Sequence, residues 1–124
     1  MSPGRWAGDP SDSKSALSRL SDVMARMYKD DSGRGPTVVR SYALGADGIV
    51  CVLEDTQTPV ERRLTELGEL QRVREVRLFF RHASEEEIRA AAEEVTGRRV
   101  RAFLSGLDAR ADVCAELFLF EPPD

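Results

Sequence analysis

Side chains able to do acid–base, nucleophilic or metal chemistry are few in this 124-residue chain. His82 is the single histidine, so a catalytic triad or a His-rich metal site would have to be built around it alone. It falls at the end of a predicted helical piece, where a histidine commonly caps or packs. Cys51 and Cys114 lack CxxC spacing and make neither a zinc nor a thioredoxin-type site. Both fall within predicted strands, which suits reduced, buried thiols; a disulfide between them requires the two strands to be neighbours. Glu85, Glu86 and Glu87, like Glu93 and Glu94, read as solvated helix faces. Acid–base pairs need environments that push two pKa values apart, and a surface run offers none. No catalytic residue, metal ligand or cofactor is expected, and the chain reads as non-enzymatic.

The sharpest local feature is Gly33-Arg34-Gly35-Pro36. Two glycines let a turn expose backbone N–H groups to an anion, and Arg34 adds a guanidinium fork, with Arg40 following in the first strand. Gly33, Arg34, Gly35 and Arg40 are thus a candidate site for phosphate or bicarbonate. The spacing is neither a Walker A loop nor a dinucleotide fingerprint. The competing reading is a plain helix-to-strand turn in which Arg34 pairs with Asp30 or Asp31. Arg98, Arg99 and Arg101, with Phe103 on the same strand face as the last two, could form a stacking platform for nucleic acid. The formal net charge of −4 and the absence of RNA-binding signatures argue against it, and no nucleic-acid partner is expected.

These residues sit on a pattern of helices and hairpins. Residues 1–12 read as a disordered leader containing Trp6, and residues 13–121 as one domain. Ser13 to Lys29 carries Leu17, Leu20, Met24, Met27 and Tyr28 on one side, an amphipathic helix. Thr37 to Leu44 alternates, Gly45 to Gly48 turns, and Ile49 to Glu54 returns as a strand apolar on both faces. Thr58-Pro59-Val60-Glu61 is a helix start with a capping box, and Thr96-Gly97 a stop. Between them Leu70, Val73, Val76, Phe80, Ala83, Ile88, Ala91 and Val95 form one predicted buried stripe. A single rod from Glu69 to Val95 would run about 40 Å, so a break at Ser84, itself a capping-box residue, is expected, giving three helical pieces. One continuous helix from Glu69 is the alternative. Arg98 to Ser105 and Val113 to Glu121 make the second hairpin, with Val100, Ala102 and Leu104 on one face and Arg99, Arg101 and Phe103 on the other.

The expected fold class is therefore α+β: a four-stranded, mainly antiparallel sheet of two β-hairpins, with an N-terminal helix and a helical segment between the hairpins (α-β-β-α-α-α-β-β). The second and fourth strands, apolar on both sides, belong in the centre, which gives the order 1-2-4-3. A homodimer formed over one sheet face would explain the same pattern. The candidate partner or dimer interface is Leu17, Leu20, Met24, Phe118 and Phe120. No stretch approaches the roughly 18 consecutive apolar residues of a bilayer span. Direct membrane insertion is not expected, and neither is a signal peptide.

Several blocks resemble the MpsC-like family of small bacterial proteins: Gly33-Arg-Gly-Pro with Val39-Arg40-Ser-Tyr42, Thr58-Pro59 with Glu61 and Leu64, and Gly68-Glu69-Leu70. The resemblance continues through Val73-Arg74-Glu75-Val76-Arg77, Glu93-Glu94-Val95-Thr96-Gly97-Arg98-Arg99-Val100, Phe103-Leu104-Ser105 and Phe118-Leu119-Phe120, over about residues 12 to 121. It implies a cytoplasmic accessory or regulatory protein beside a sodium or bicarbonate transport, membrane-potential-generating system, with a membrane transport subunit as the partner. The chain departs from the family pattern in its acidic Glu54-Asp55 loop and at Ser105-Gly106.

Overall fold

The structure, a computed structural model, describes residues 10–123. The elements run α1 (Pro10–Ser32), β1 (Val38–Ala43), β2 (Gly48–Glu54), α2 (Pro59–Glu66), α3 (Leu70–Thr96), β3 (Val100–Asp108) and β4 (Val113–Phe120). Trp6 and the expected leader as far as Asp9 lie outside the described residues, and residues 10–12 already belong to α1.

The four strands form one antiparallel sheet in the order β1-β2-β4-β3, so the two doubly apolar strands are indeed central. Both helices of any length pack on one face. From α1 come Ala16, Leu20, Met24 and Tyr28, spaced by four; from α3 come Ile88, Ala92 and Val95. They close on Ile49, Cys51, Leu53, Cys114, Phe118 and Phe120. Phe118 lies between Phe103 and Phe120, with ring centroids 5.0 and 6.3 Å away. Each such side chain taken from water contributes about 1.5–3 kcal/mol.

Helix α2 begins as its sequence specifies. Thr58 accepts from the Glu61 amide at 3.2 Å, and the Glu61 carboxylate accepts from the Thr58 amide at 2.9 Å. Helix α3 departs from expectation in two ways. It is a continuous 27-residue helix, with no break at Ser84. The Ser84 hydroxyl does not cap; it donates to Asp31 of α1 at 3.3 Å, and a serine within a helix is only mildly unfavourable. The expected apolar stripe holds for Val73, Ile88 and Val95, whereas Val76 and Phe80 are exposed. Their place against the core is taken by Arg77 and Arg81. Gly97, at φ 70°, ends the helix in the left-handed conformation.

One alternation also fails. A register shift between Val100 and Ala102 makes Arg101 an extra residue on β3. Beyond it the pattern inverts, so Phe103 packs against Phe118 on the core side, away from the arginines. Arg98 is buried and donates to the Ala46 carbonyl and the Glu121 carbonyl, both at 2.7 Å, and to Asp47 at 2.5 Å. It ties the β1–β2 turn to the end of β4 and, with Phe103 turned to the core, two of the four members leave the stacking platform considered above.

Candidate functional site

The middle of β4 reads Cys114-Ala115-Glu116-Leu117-Phe118, and alternation turns Glu116 inward with Cys114 and Phe118. A carboxylate in that position needs partners, since an unpaired buried charge is very unfavourable. Tyr28, one turn from the end of α1, donates its hydroxyl to Oε1 of Glu116 at 2.5 Å. Arg81 of α3 brings Nε to the same oxygen at 3.1 Å and lays its guanidinium over the Tyr28 ring at 4.5 Å. One turn earlier, Arg77 grips Glu61 at 2.6 and 3.0 Å and points Nη1 at the Cys114 sulfur, 3.8 Å away. The capping box of α2 thus supplies the carboxylate that holds a half-buried arginine of α3.

Electrostatics follow from burial. Glu116 is fully buried, and desolvation raises its carboxyl above the ordinary range against the pull of Arg81, the Tyr28 hydroxyl and Ser105. Desolvation, reinforced by Glu116, raises the Tyr28 phenol. For Glu61 burial also pushes upward, but the Arg77 and Thr58 hydrogen bonds outweigh it and its pKa is lowered. Cys114 is raised by burial, and Cys51 is pushed up to about 12 by the same cause. Neither thiol is poised as a nucleophile.

Two hollows flank this cluster and share Tyr28, Arg77 and Arg81 as their common wall. One, about 180 Å³, opens between α3 and the β3–β4 ribbon and is lined also by Arg74, Leu78, Ser105 and Leu107. The other, about 220 Å³, lies between α2 and α3 among Val60, Leu64, Val76 and Phe80. Among the described residues, no group of three or more His, Cys, Asp or Glu side chains gathers as a metal site.

The residues singled out from the sequence are distributed otherwise. Gly33, at φ 79°, is the left-handed stop of α1, its amide bonded to the Lys29 carbonyl at 2.7 Å. Arg34 pairs with Asp55 at 2.7 Å, and not with Asp30 or Asp31. Asp55 also receives Arg62 at 2.8 Å, and these two cations hold its carboxyl below the ordinary range. Arg40 is exposed on β1 and Gly35 stands in the connecting loop. Of the expected interface, Leu20, Met24, Phe118 and Phe120 are fully buried in the chain's own core and Leu17 is partly buried against it. A partner cannot reach those four side chains while the fold is intact. His82 is exposed on α3. The two cysteines are free and buried.

Tyr28, Arg77, Arg81 and Glu116 escaped a motif search because they come from three elements. A signal existed all the same. A lone glutamate in an otherwise apolar central strand demands a cation and a hydrogen-bond donor, and the alternating side chains of α3 offered arginines four apart.

No curated protein and no solved structure matches the chain. A family profile does, and its match runs from residue 13 to residue 122. Nearly the whole described domain lies within that match, including the helix start at Thr58, Arg77 and Arg81, and both hairpins. The chain belongs to the MpsC family, described as the Na+-translocating membrane potential-generating system (MpsC).

Proposed function

We propose that the chain is a non-enzymatic accessory or regulatory protein of a sodium or bicarbonate transport, membrane-potential-generating system. It works in the cytoplasm through protein contacts. No helix among the described residues is long and apolar enough to cross a membrane, and in this reading the coupling to the membrane passes through a protein partner. The observation that carries this reading is the apolar surface on α2 and the first half of α3. Val60, Val76 and Phe80 are exposed along the α2–α3 hollow, and Phe79, 69% exposed, sets its ring edge-on to Phe80 with centroids 5.6 Å apart. Exposed apolar groups gathered in this way mark contact surfaces.

The open face of the sheet supports self-association as well. Tyr42, Val50, Leu117 and Leu104 are successive cross-strand partners and form one apolar row across all four strands. A second copy stacked on that row would bury it, as in a two-sheet sandwich. An anion sensor at Gly33–Pro36 has less support, because Asp55 already holds Arg34. Titration with phosphate or bicarbonate, comparing wild type with Arg34→Ala, tests that alternative.

The docking proposal is tested by affinity capture from detergent-solubilised membranes of the source cell, using wild type beside the double variant Val60→Ser/Phe79→Ser. An integral membrane protein captured by wild type and lost from the variant supports it. Recovery of the chain alone, or equal capture by both, sinks it.

A further inference from the structure

The hollow of about 180 Å³ beside α3 has a charge imbalance that the fold itself does not resolve. Arg74, Arg77 and Arg81 follow at intervals of three and four, so their side chains stack along one side of the helix and all three line the hollow. Arg77 is matched by Glu61. Arg81 meets Glu116 through Nε at 3.1 Å, while its Nη1 and the other carboxylate oxygen, Oε2 of Glu116, are both buried without a hydrogen-bond partner. Arg74 is exposed and makes no ion pair among the described residues. Three guanidinium groups therefore face two carboxylates, and burial disfavours the charge on one of these, Glu116.

Arg74 is the guanidinium of the three without a carboxylate partner, and an acceptor placed in the hollow would meet it beside Arg81. The planar guanidinium fork favours a planar oxyanion over a spherical ion. The remaining walls, Leu78, Leu107 and Gly106, offer apolar contact, with the Ser105 hydroxyl at their edge. The volume exceeds what a lone oxyanion fills, which leaves room for a short aliphatic body.

We propose that this hollow binds a small aliphatic carboxylate, its head group on Arg81 and Arg74 and its hydrocarbon part against Leu78 and Leu107. The site is separate from the Gly33–Pro36 loop and independent of the docking surface on α2 and α3. Arg77 holds the floor of the hollow in place through Glu61. Glu116 competes with the ligand for Arg81.

The experiment is a titration of the full chain with acetate, propionate and butyrate at constant ionic strength, followed by amide chemical shifts, with chloride and inorganic phosphate as comparison anions. The expected result is saturable shifts centred on Ser105, Gly106 and Leu107. Affinity should rise about four-fold per added methylene, as the burial of one CH₂ implies. Arg74→Gln, a surface change that leaves the core intact, should weaken butyrate binding about ten-fold. Glu116→Gln, which removes the competing charge, should retain or strengthen it. No saturation by any carboxylate overturns the proposal, as does equal binding by wild type and Arg74→Gln. Phosphate bound more tightly than butyrate overturns the assigned ligand class.

Discussion

The hydroxyl of Tyr28 on α1 closes on the carboxylate of Glu116 on β4 at 2.5 Å, joining the first element of the chain to the last across 88 positions. Both groups are buried, and Arg81 covers them from α3. Each helix on the covered face of the sheet therefore contributes one polar group to the same carboxylate. Tyr28→Phe removes a donor and leaves that carboxylate less satisfied, so unfolding free energy should fall by about 1–3 kcal/mol. Urea denaturation measures it. A loss below about 0.5 kcal/mol would show that the contact is dispensable.

Glu61 and Glu116 should give stability profiles of opposite slope with pH. The lowered pKa of Glu61 means that its contribution is present above its unfolded value, about 4.3, and is lost as pH falls through the folded value. The raised pKa of Glu116 means that its contribution is full below the unfolded value and is lost as pH rises through the folded one. Glu61→Gln leaves Arg77 without its counter-charge and should destabilise by about 3 kcal/mol at neutral pH, with the deficit shrinking in acid. Glu116→Gln should gain on wild type as pH rises. Urea midpoints from pH 3 to 8 test both, and profiles parallel to wild type would refute the assignment.

The thiols should be inert in the native state. Cys51 and Cys114 are buried, and the Cys51 pKa is pushed up to about 12. A thiol reagent at pH 8 should label neither in folded protein and both in denaturant, with labelling limited by unfolding. Rapid labelling of one cysteine without denaturant would show that the helical layer opens locally.

The apolar row on the uncovered sheet face predicts concentration-dependent dimerisation. Leu117→Lys places a charge at the centre of that row, beside Val50 and Leu104. The variant should elute as a monomer where wild type is a dimer, while its unfolding free energy, measured at the monomeric limit, changes by less than about 1 kcal/mol. Identical light-scattering masses for the two would remove the sheet face as an interface.

Which features were legible in the sequence depended on how local their causes are. The capping box at Thr58 and the left-handed stop at Gly97 follow from bonds within a few residues, and both stand where expected. Strand order followed from composition alone, because only a central strand can be apolar on both faces without exposure on its edges. The break expected at Ser84 did not occur: serine is only mildly unfavourable inside a helix, and its hydroxyl turns to Asp31 of another helix. Arg34 likewise has its partner on a segment distant in sequence, Asp55, and not in its own loop.

The face that α3 presents to the core is the clearest division between the two levels. Hydrophobic period chose Val76 and Phe80, and the fold buries Arg81 and half-buries Arg77. A periodicity argument ranks side chains by transfer from water to oil, and in that ranking arginine loses. Buried Glu61 and Glu116 reverse the order locally by offering charge-assisted bonds. The sequence by itself determined the four strands, their order in the sheet, the helix ends at Thr58 and Gly97 and the family, because these rest on short-range chemistry and pattern. Only the tertiary structure decided which polar groups meet and which apolar groups stay in water. That choice depends on distances between residues far apart in the chain.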